Sequence, residues 1–327
     1  MVFFSINNSF SINNSFSILA FLSLLFPAAL GQLSPAFYAG RCPNVEGIVR
    51  SVVAPAVESD PTMGASLIRL FFHDCFVNGC DGSVLLDDSG SLRGEKSAAP
   101  NANSLRGFEV IDAIKWRVEA ACRGTVSCAD IVALAARDSV SLLGGPSWAV
   151  ALGRRDSRFA SQAAANSFLP SPSSSLSTLI NLFASKGLDS RDLTALSGAH
   201  TVGRARCSNF RNRIYGDPNI NAGFASFRRQ SCPRVGGDAI LSALDASSPT
   251  RFDNAFYRNL VNGAGLLHSD QELFTGTGAG MDSLVWLYST NPAAFANDFA
   301  TAMIKMGNIG VLTGAGGEVR LNCRRVN

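Results

Sequence analysis

Apolar residues recur three and four positions apart along most of the chain after residue 31. The pattern is clear in residues 44–59, 107–122, 130–143 and 292–309, and this spacing predicts amphipathic helices. Pro292 opens the last of these segments and Gly307 lies near its end, as expected for a helix start and stop. Strand-type alternation is scarce, and no linker is long enough to separate two independent domains. The pattern therefore predicts a mainly helical protein.

The first 31 residues differ from the rest because they contain no charged residue. They include the apolar stretch SILAFLSLLFPAAL, and Ala29 and Gly31 supply the small residues that a signal-peptidase site before Gln32 requires. A membrane anchor is the alternative, but the apolar stretch is short and Pro27 interrupts it. We expect residues 1–31 to be a secretory signal peptide and residues 32–327 to form the mature domain.

Composition narrows the function classes. Charged residues make up 16% of the chain, the net charge is +3, and there is no long run of Lys or Arg. These values give little support to a nucleic-acid or polybasic membrane role. All eight cysteines follow residue 31, and an even count in a secreted chain indicates four disulfides, with about 105 possible pairings. A zinc site fits poorly, because there is no paired C-x-x-C and the chain has only three histidines.

The stretch LIRLFFHDCFVNGCDGS (residues 67–83) places charged residues in apolar surroundings. Asp60 and Pro61 form a good helix start, and we expect the helix to run from Pro61 through Phe76. Arg69 and His73 are four residues apart, so they share one face of this helix. A fixed cation beside an imidazole suits acid–base work on a bound molecule. The alternative is a structural histidine satisfied by the core, with Arg69 in an ion pair.

Oxygen donors are concentrated directly after this helix. Asp74, Asp81 and Ser83 lie within ten residues, and Gly79 and Gly82 permit tight turns that aim backbone carbonyls inward. Calcium accepts such mixed oxygen ligands, although the spacing is not that of an EF-hand. An ordinary acidic surface loop is the alternative.

A second histidine, His200, follows a helical pattern in DLTALSGAHTVGRARCSNF (residues 192–210). A borderline-soft metal could take its imidazole. A lone histidine is more often structural, so this motif by itself leaves both interpretations open.

Eight motifs occur in one order along residues 32–327: RLFFHDCFVNGCDGSVLL, NANSLRGFEVID, VSCADIVALAARDSV, GGPSW, LGRRDS, LSGAHTVGRARC, FDNAFY and SDQELF. Together with the eight cysteines, they resemble the secretory plant haem peroxidases (class III). The resemblance implies a mainly α fold in which distal and proximal helical halves sandwich haem b. It implies an oxidoreductase that uses hydrogen peroxide to oxidise phenolic-type donors by single electrons through a ferryl haem intermediate. Roles in cell-wall metabolism, lignification or the response to oxidative stress accompany this family.

The resemblance also implies roles for the residues around the haem. His200 matches the proximal iron ligand, and Asp270 matches the carboxylate that accepts its other N–H, which would make the imidazole a stronger donor. His73 matches the distal base and Arg69 its cationic partner.

Three further residues match positions that support the catalytic pair or the donor. Asn101 and Glu95 match the residues that orient the distal histidine through hydrogen bonding. Pro170 matches a residue beside the substrate channel, where its carbonyl can accept a hydrogen bond. Because no C-x-x-C-H is present, the haem is expected to be noncovalent.

Two calcium sites and four disulfides complete what the resemblance implies. The distal calcium ligands are Asp74, Val77, Gly79, Asp81 and Ser83, with Val77 and Gly79 acting through their carbonyls. The proximal ligands are Thr201, Asp245, Ser248, Arg251 and Asp253, with Arg251 acting through its carbonyl. The disulfides are Cys42–Cys122, Cys75–Cys80, Cys128–Cys323 and Cys207–Cys232. Asp130 and Arg154 match a buried ion pair without a catalytic role.

Two hypotheses follow. The first is an enzyme exported to the cell wall or apoplast, a monomer that acts on hydrogen peroxide and small phenolic donors. The second is a non-enzymatic calcium-binding wall protein on the same scaffold. The complete set of Arg69, His73, Asn101, His200 and Asp270 argues against the second hypothesis, and a visible absorption spectrum would distinguish the two.

Overall fold

The computed structural model describes residues 33–90, 92–278 and 280–327. The predicted signal peptide, residues 1–31, lies outside this range. The α-helices are α1 Val45–Ser59, α2 Pro61–Val77, α3 Phe108–Cys122, α4 Cys128–Leu142, α5 Gln162–Phe168, α6 Leu176–Ser185, α7 Ser190–Ser197, α8 Cys207–Gly216, α9 Ala222–Ser231, α10 Ala255–Val261, α11 His268–Gln271, α12 Asp282–Thr290 and α13 Pro292–Met306. Single 3₁₀ turns occur at Ser83–Leu85, Glu95–Ser97 and Gly198–Thr201. Strands β1 (Arg204–Arg206) and β2 (Leu241–Ala243) pair antiparallel.

The mainly helical prediction is confirmed, and the helix ends follow from local capping. Helix α2 begins where expected, because the Asp60 carboxylate accepts the Thr62 N–H at 2.9 Å and Pro61 occupies the first turn. Helix α4 begins two residues earlier than predicted, because the Ser127 hydroxyl accepts the Asp130 N–H. Helix α13 ends at Met306 rather than at residue 309.

The helices pack into two neighbouring groups. In the first, α2 packs against α4, and α1 packs against α2, α3 and α4. In the second, α7 packs against α13, and α10 packs against α12. One continuous core runs through both groups, and it includes an aromatic cluster in which the Phe252 and Phe295 rings stack 5.7 Å apart. Among the described residues, no helix has the length and apolar character needed to cross a membrane.

All eight cysteines are paired in four disulfides, in the pairing that the resemblance implies. The bonds are Cys42–Cys122, Cys75–Cys80, Cys128–Cys323 and Cys207–Cys232. The second bond links the last turn of α2 to the loop that follows it. The third links the start of α4 to the C-terminal segment. The fourth belongs to a smaller apolar cluster that also contains Phe210 and Ile214 of α8.

A buried ion pair joins α4 to the segment that follows it. Asp130 accepts hydrogen bonds from the Tyr38 hydroxyl at 2.7 Å, from the Gly153 N–H at 2.7 Å and from Arg154 Nη1 at 2.8 Å. Arg154 also donates through Nε to the Gly307 carbonyl at 3.0 Å, just beyond α13. Both charged side chains are buried, so each depends on its partner for compensation.

We therefore expect Asp130→Ala to lower the free energy of unfolding by about 3–5 kcal/mol, because the Arg154 charge would stay buried without a partner. The matched control is Arg106→Ala, which removes an exposed ion pair with Asp60 (2.9 Å) and should cost less than about 1 kcal/mol. Denaturant unfolding of the two variants measures both values. A loss for Asp130→Ala no larger than that of the control would contradict the argument.

Candidate functional site

Helix α2 places Arg69 and His73 side by side, as their four-residue spacing predicts. Arg69 Nε–H donates to His73 Nε2 at 3.1 Å. The rest of the guanidinium is held by main-chain carbonyls: Nη1 donates to Ser104 O at 3.1 Å and Nη2 to Pro100 O at 2.8 Å. Burial lowers the pKa of Arg69 to about 10, so the guanidinium keeps its charge at neutral pH. The site therefore has a fixed cation in contact with an imidazole.

The hydrogen bonds of His73 define its tautomer. Its Nδ1 lies 2.5 Å from Asn101 Oδ1, and Asn101 Nδ2–H donates to the Glu95 carbonyl at 2.9 Å. Because an amide oxygen only accepts, the proton of His73 is on Nδ1 and the lone pair is on Nε2. Burial and then the Arg69 charge place the pKa of His73 well below its usual value. His73 is thus a neutral base whose accepting nitrogen lies beside Arg69.

Glu95 contributes to this arrangement through its main chain. Its carbonyl accepts from Asn101, whereas its carboxylate oxygen Oε1 accepts the Ser161 N–H at 3.3 Å. The other oxygen, Oε2, is buried and has no hydrogen-bond partner in the described part of the chain. Burial is the largest influence on this carboxyl and raises the pKa of Glu95 to about 8.

His200 lies in the 3₁₀ turn after α7, and its partner Asp270 lies in the short helix α11. Its Nδ1 is 2.8 Å from Asp270 Oδ1. Burial is the largest influence on the pKa of His200 and lowers it, but the charge and hydrogen bond of Asp270 together outweigh burial, so the net shift is upward. Protein atoms leave 40% of the His200 side chain uncovered. Among the described residues, none forms a hydrogen bond with its Nε2. The lone pair of this nitrogen is therefore free to bind a metal ion, while Asp270 polarises the ring from Nδ1.

The segments that carry His73 and His200 influence each other electrostatically. A charge on His200 depresses the pKa of His73, and the Arg69 charge depresses that of His200. The segment after His200 also touches α2: a Cβ on Gly203, whose φ is +99°, would lie 3.1 Å from the Ala65 Cβ. An imidazole with a free, carboxylate-polarised nitrogen would hold a haem iron, and a separate neutral base would serve acid–base chemistry on a small ligand.

Buried oxygen donors surround the turn after α2. Asp74 accepts from the Gly82 N–H at 2.9 Å, and Asp81 accepts from the Ser83 N–H at 3.0 Å. Burial and then the Asp81 charge raise the pKa of Asp74 well above its usual value. The Ser83 hydroxyl is buried and has no partner in the described residues. Two desolvated carboxylates beside an unpartnered hydroxyl fit a hard cation such as calcium.

The second oxygen cluster adjoins His200. Thr201 Oγ1 donates to Asp245 Oδ2 at 3.0 Å, and Ser248 Oγ donates to Asp253 Oδ1 at 2.9 Å. Arg251 is exposed, and its main-chain N–H donates to Ser248 O. Residues far apart in sequence are thus brought together in one cluster of oxygen atoms. In 33–90, 92–278 and 280–327, no three His, Cys, Asp or Glu side chains form a metal-binding group, so either cluster depends on hydroxyl and carbonyl donors.

Two parts of the site carry no sequence signal of their own. The carbonyls of Pro100 and Ser104 hold Arg69, and the Ser161 N–H binds Glu95, yet every residue type supplies such main-chain groups. Pro170, expected near the donor, is half-buried after α5. No hydrogen bond joins it to His73 or His200 in the described residues.

A helical protein with two buried-site histidines, one supported by a carboxylate and one beside an arginine, has the features of a haem enzyme. The family model described as "Peroxidase" matches residues 49–291. Peroxidase P7 of Brassica rapa subsp. rapa is 59% identical over 298 residues, which cover 90% of this chain and 100% of the relative. Peroxidase 4 of Vitis vinifera is 55% identical over 311 residues (94% and 96%), and Peroxidase RIP1 of Medicago truncatula is 58% identical over 297 residues (90% and 91%). The chain belongs to the peroxidase family and is a haem peroxidase.

Proposed function

We propose that this enzyme uses hydrogen peroxide to oxidise small phenolic donors by one electron at a time, with a noncovalent haem b and two calcium ions. The observation that supports this most directly is the state of His73: a neutral imidazole with its proton fixed on Nδ1 and its lone pair beside Arg69. General acid–base chemistry on a small ligand needs such a group. The named relatives are plant peroxidases, which supports the same reaction class.

Binding of the haem falls to His200. Its Nε2 would hold the iron, while Asp270 fixes the opposite nitrogen as a donor and makes the imidazole more electron-rich. When bound, the haem supplies an iron centre that accepts two oxidising equivalents from peroxide and releases them singly. The remaining chemistry belongs to the protein side chains.

On the opposite side, His73 would move one proton. Its Nε2 accepts the proton from the inner oxygen of peroxide and returns it to the outer oxygen, so that this oxygen leaves as water. Arg69 stabilises the negative charge that develops as the O–O bond breaks. Asn101 keeps the Nδ1 proton in place throughout. Glu95 supports Asn101 through its carbonyl, and the Pro170 carbonyl would accept a hydrogen bond from the donor.

The two oxygen clusters are the proposed calcium sites. The unpartnered Ser83 hydroxyl and the raised pKa of Asp74 support the distal site, to which the carbonyls of Val77 and Gly79 would also contribute. The hydroxyls and carboxylates around Asp245 support the proximal site. Each site includes a residue directly next to one of the two histidines, so each ion would hold a histidine-bearing segment.

Export is part of the same proposal. Residues 1–31 would be removed as a signal peptide, and residues 32–327 would act outside the cell as a monomer, in cell-wall metabolism, lignification or the stress response. Four disulfides support an oxidising destination. The alternative of a non-enzymatic calcium-binding wall protein receives no support from a site in which every catalytic side chain is present.

Replacing His73 by Leu tests the catalytic assignment. We expect the haem to remain bound, because His200 is unchanged, and the rate of reaction with peroxide to fall by roughly 10²–10⁴-fold. Stopped-flow absorbance measures the rate, and the resting visible spectrum serves as the control for haem retention. A rate equal to that of the wild type would remove His73 from the mechanism.

The distal calcium site can be tested with Ser83→Ala. If Ser83 binds calcium, the variant should lose calcium affinity, and the thermal midpoint should then need at least about tenfold more calcium to reach its plateau. Without a cation, removing an unsatisfied buried hydroxyl would be neutral or stabilising. The matched control is Ser139→Ala, because that buried hydroxyl already donates to Ala135 O at 2.7 Å. Identical calcium dependence in both variants would exclude Ser83 as a ligand.

A further inference from the structure

An open cavity of about 690 Å³ lies at the surface beside the C-terminus. Leu92 and Arg93 line one side, residues 158–163 line the other, and Val326 contributes from the chain end. Neither His73 nor His200 takes part in it. Its volume falls within the range of small-molecule sites, roughly 300–1,000 Å³.

The lining of this cavity is cationic and aromatic. Among the described residues that line it, Arg93 and Arg158 are the charged ones and none is acidic. Arg158 has a partial partner, with Nε 3.4 Å from Glu318 Oε2, whereas Arg93 makes no side-chain hydrogen bond or ion pair within the described residues. Phe159 presents a ring that is 75% exposed. An exposed ring in a cavity that also holds two guanidinium groups can contact a flat apolar ligand while they pair with its negative charge.

We propose that this cavity binds a small aromatic carboxylate. Arg93 and Arg158 would pair with the carboxylate, because guanidinium groups match its two oxygens. Phe159 would pack against the aromatic ring in an offset or edge-to-face arrangement. The lining residue Ser161 is held in place because its N–H donates to Glu95 Oε1.

The test is calorimetric titration of the holoenzyme with trans-cinnamate, which lacks a phenol hydroxyl and is not a phenolic donor. Trans-cinnamamide has the same ring without the charge, and we expect it to bind about tenfold more weakly, because a charge-assisted pair is lost. Equal affinity for the acid and the amide would overturn the proposal.

Two pairs of variants locate the binding. Arg93→Gln and Phe159→Ala should each weaken cinnamate binding, the latter by roughly 2- to 10-fold. The controls remove the same chemistry elsewhere: Arg41→Gln and Phe227→Ala, both exposed and outside the cavity. Unchanged affinity in the two cavity variants would overturn the proposal, whether or not cinnamate binds at another place.

A separate set of contacts leads to a second inference, which concerns the four-residue helix α11 that carries Asp270. His268, at its start, places Nδ1 2.7 Å from Asp217 Oδ2, just after α8. Arg213 of α8 donates to the same carboxylate at 3.0 Å and to Gln271 of α11 at 3.2 Å. At the other end, Glu272 Oε2 accepts the Leu176 N–H at 3.0 Å.

These bonds fix α11 at both ends. A helix of one turn has little stability of its own, so the position of Asp270 depends on such side-chain contacts. The hydrogen bond from Asp270 to His200 in turn controls how electron-rich the imidazole is. His268 is the group that joins the start of α11 to α8.

We infer that His268 is a positioning residue for Asp270. This inference rests on the proposed role of His200 as the iron ligand. In His268→Leu the bond to Asp217 is lost, Asp270 is held less well, and the midpoint reduction potential of the holoenzyme should rise because the imidazole donates less charge. His268→Asn retains a donor near the Nδ1 position and should restore a potential close to that of the wild type.

Asp270→Asn separates the possible failures. If it leaves the potential unchanged, the proposed role of Asp270 is wrong. If it raises the potential but His268→Leu does not, only the inference about His268 fails. Arg191→Leu is the control, since it removes another exposed ion pair, with Asp298 at 2.7 Å, and it should leave the potential at the wild-type value. A rise in that control equal to the rise in His268→Leu would also overturn the inference.

Discussion

An imidazole can act as a base only while one of its nitrogens carries no proton, and the surroundings of His73 meet that requirement. His73 lies on a helix that is buried on nearly every side, and burial disfavours its charged form. Arg69, held by two carbonyls, adds a fixed positive charge next to the lone pair. Asn101 can only accept from Nδ1, so the tautomer has no alternative. Helix packing, electrostatics and hydrogen bonding thus favour the same protonation state.

The opposite histidine is in a contrasting environment. His200 is also inside the protein, but Asp270 compensates for burial and shifts its pKa upward. A carboxylate beside one imidazole and a guanidinium beside the other give the two rings opposite electronic character. The protein therefore holds two residues of the same type in two different electronic states.

Much of this could be predicted from the sequence, but only where the signal is local. The four-residue spacing of Arg69 and His73 determines their common face. Helix boundaries differ from the prediction by a few residues, as where the Ser127 cap extends α4 and where α13 ends at Met306. The partnership of His73 with Asn101 spans 28 positions, and neither periodicity nor composition indicates it. Without the resemblance to a known family, that contact could not have been inferred. The contact of Asn101 with Glu95 is even harder to predict from the sequence, because it uses a main-chain carbonyl that any residue could supply.

The two oxygen clusters differ in the sequence separation of the residues that form them. The distal donors lie between Asp74 and Ser83, a short stretch that contains the loop closed by the Cys75–Cys80 bond. The proximal cluster joins Thr201 to Asp253 across 52 positions, and its assembly must overcome the entropy of closing that longer loop. The Cys207–Cys232 bond lies inside this stretch and spans 25 positions, which roughly halves the effective loop and removes about 0.6 kcal/mol of closure cost. The Cys207–Cys232 bond therefore favours assembly of the proximal cluster although it contributes no ligand to it.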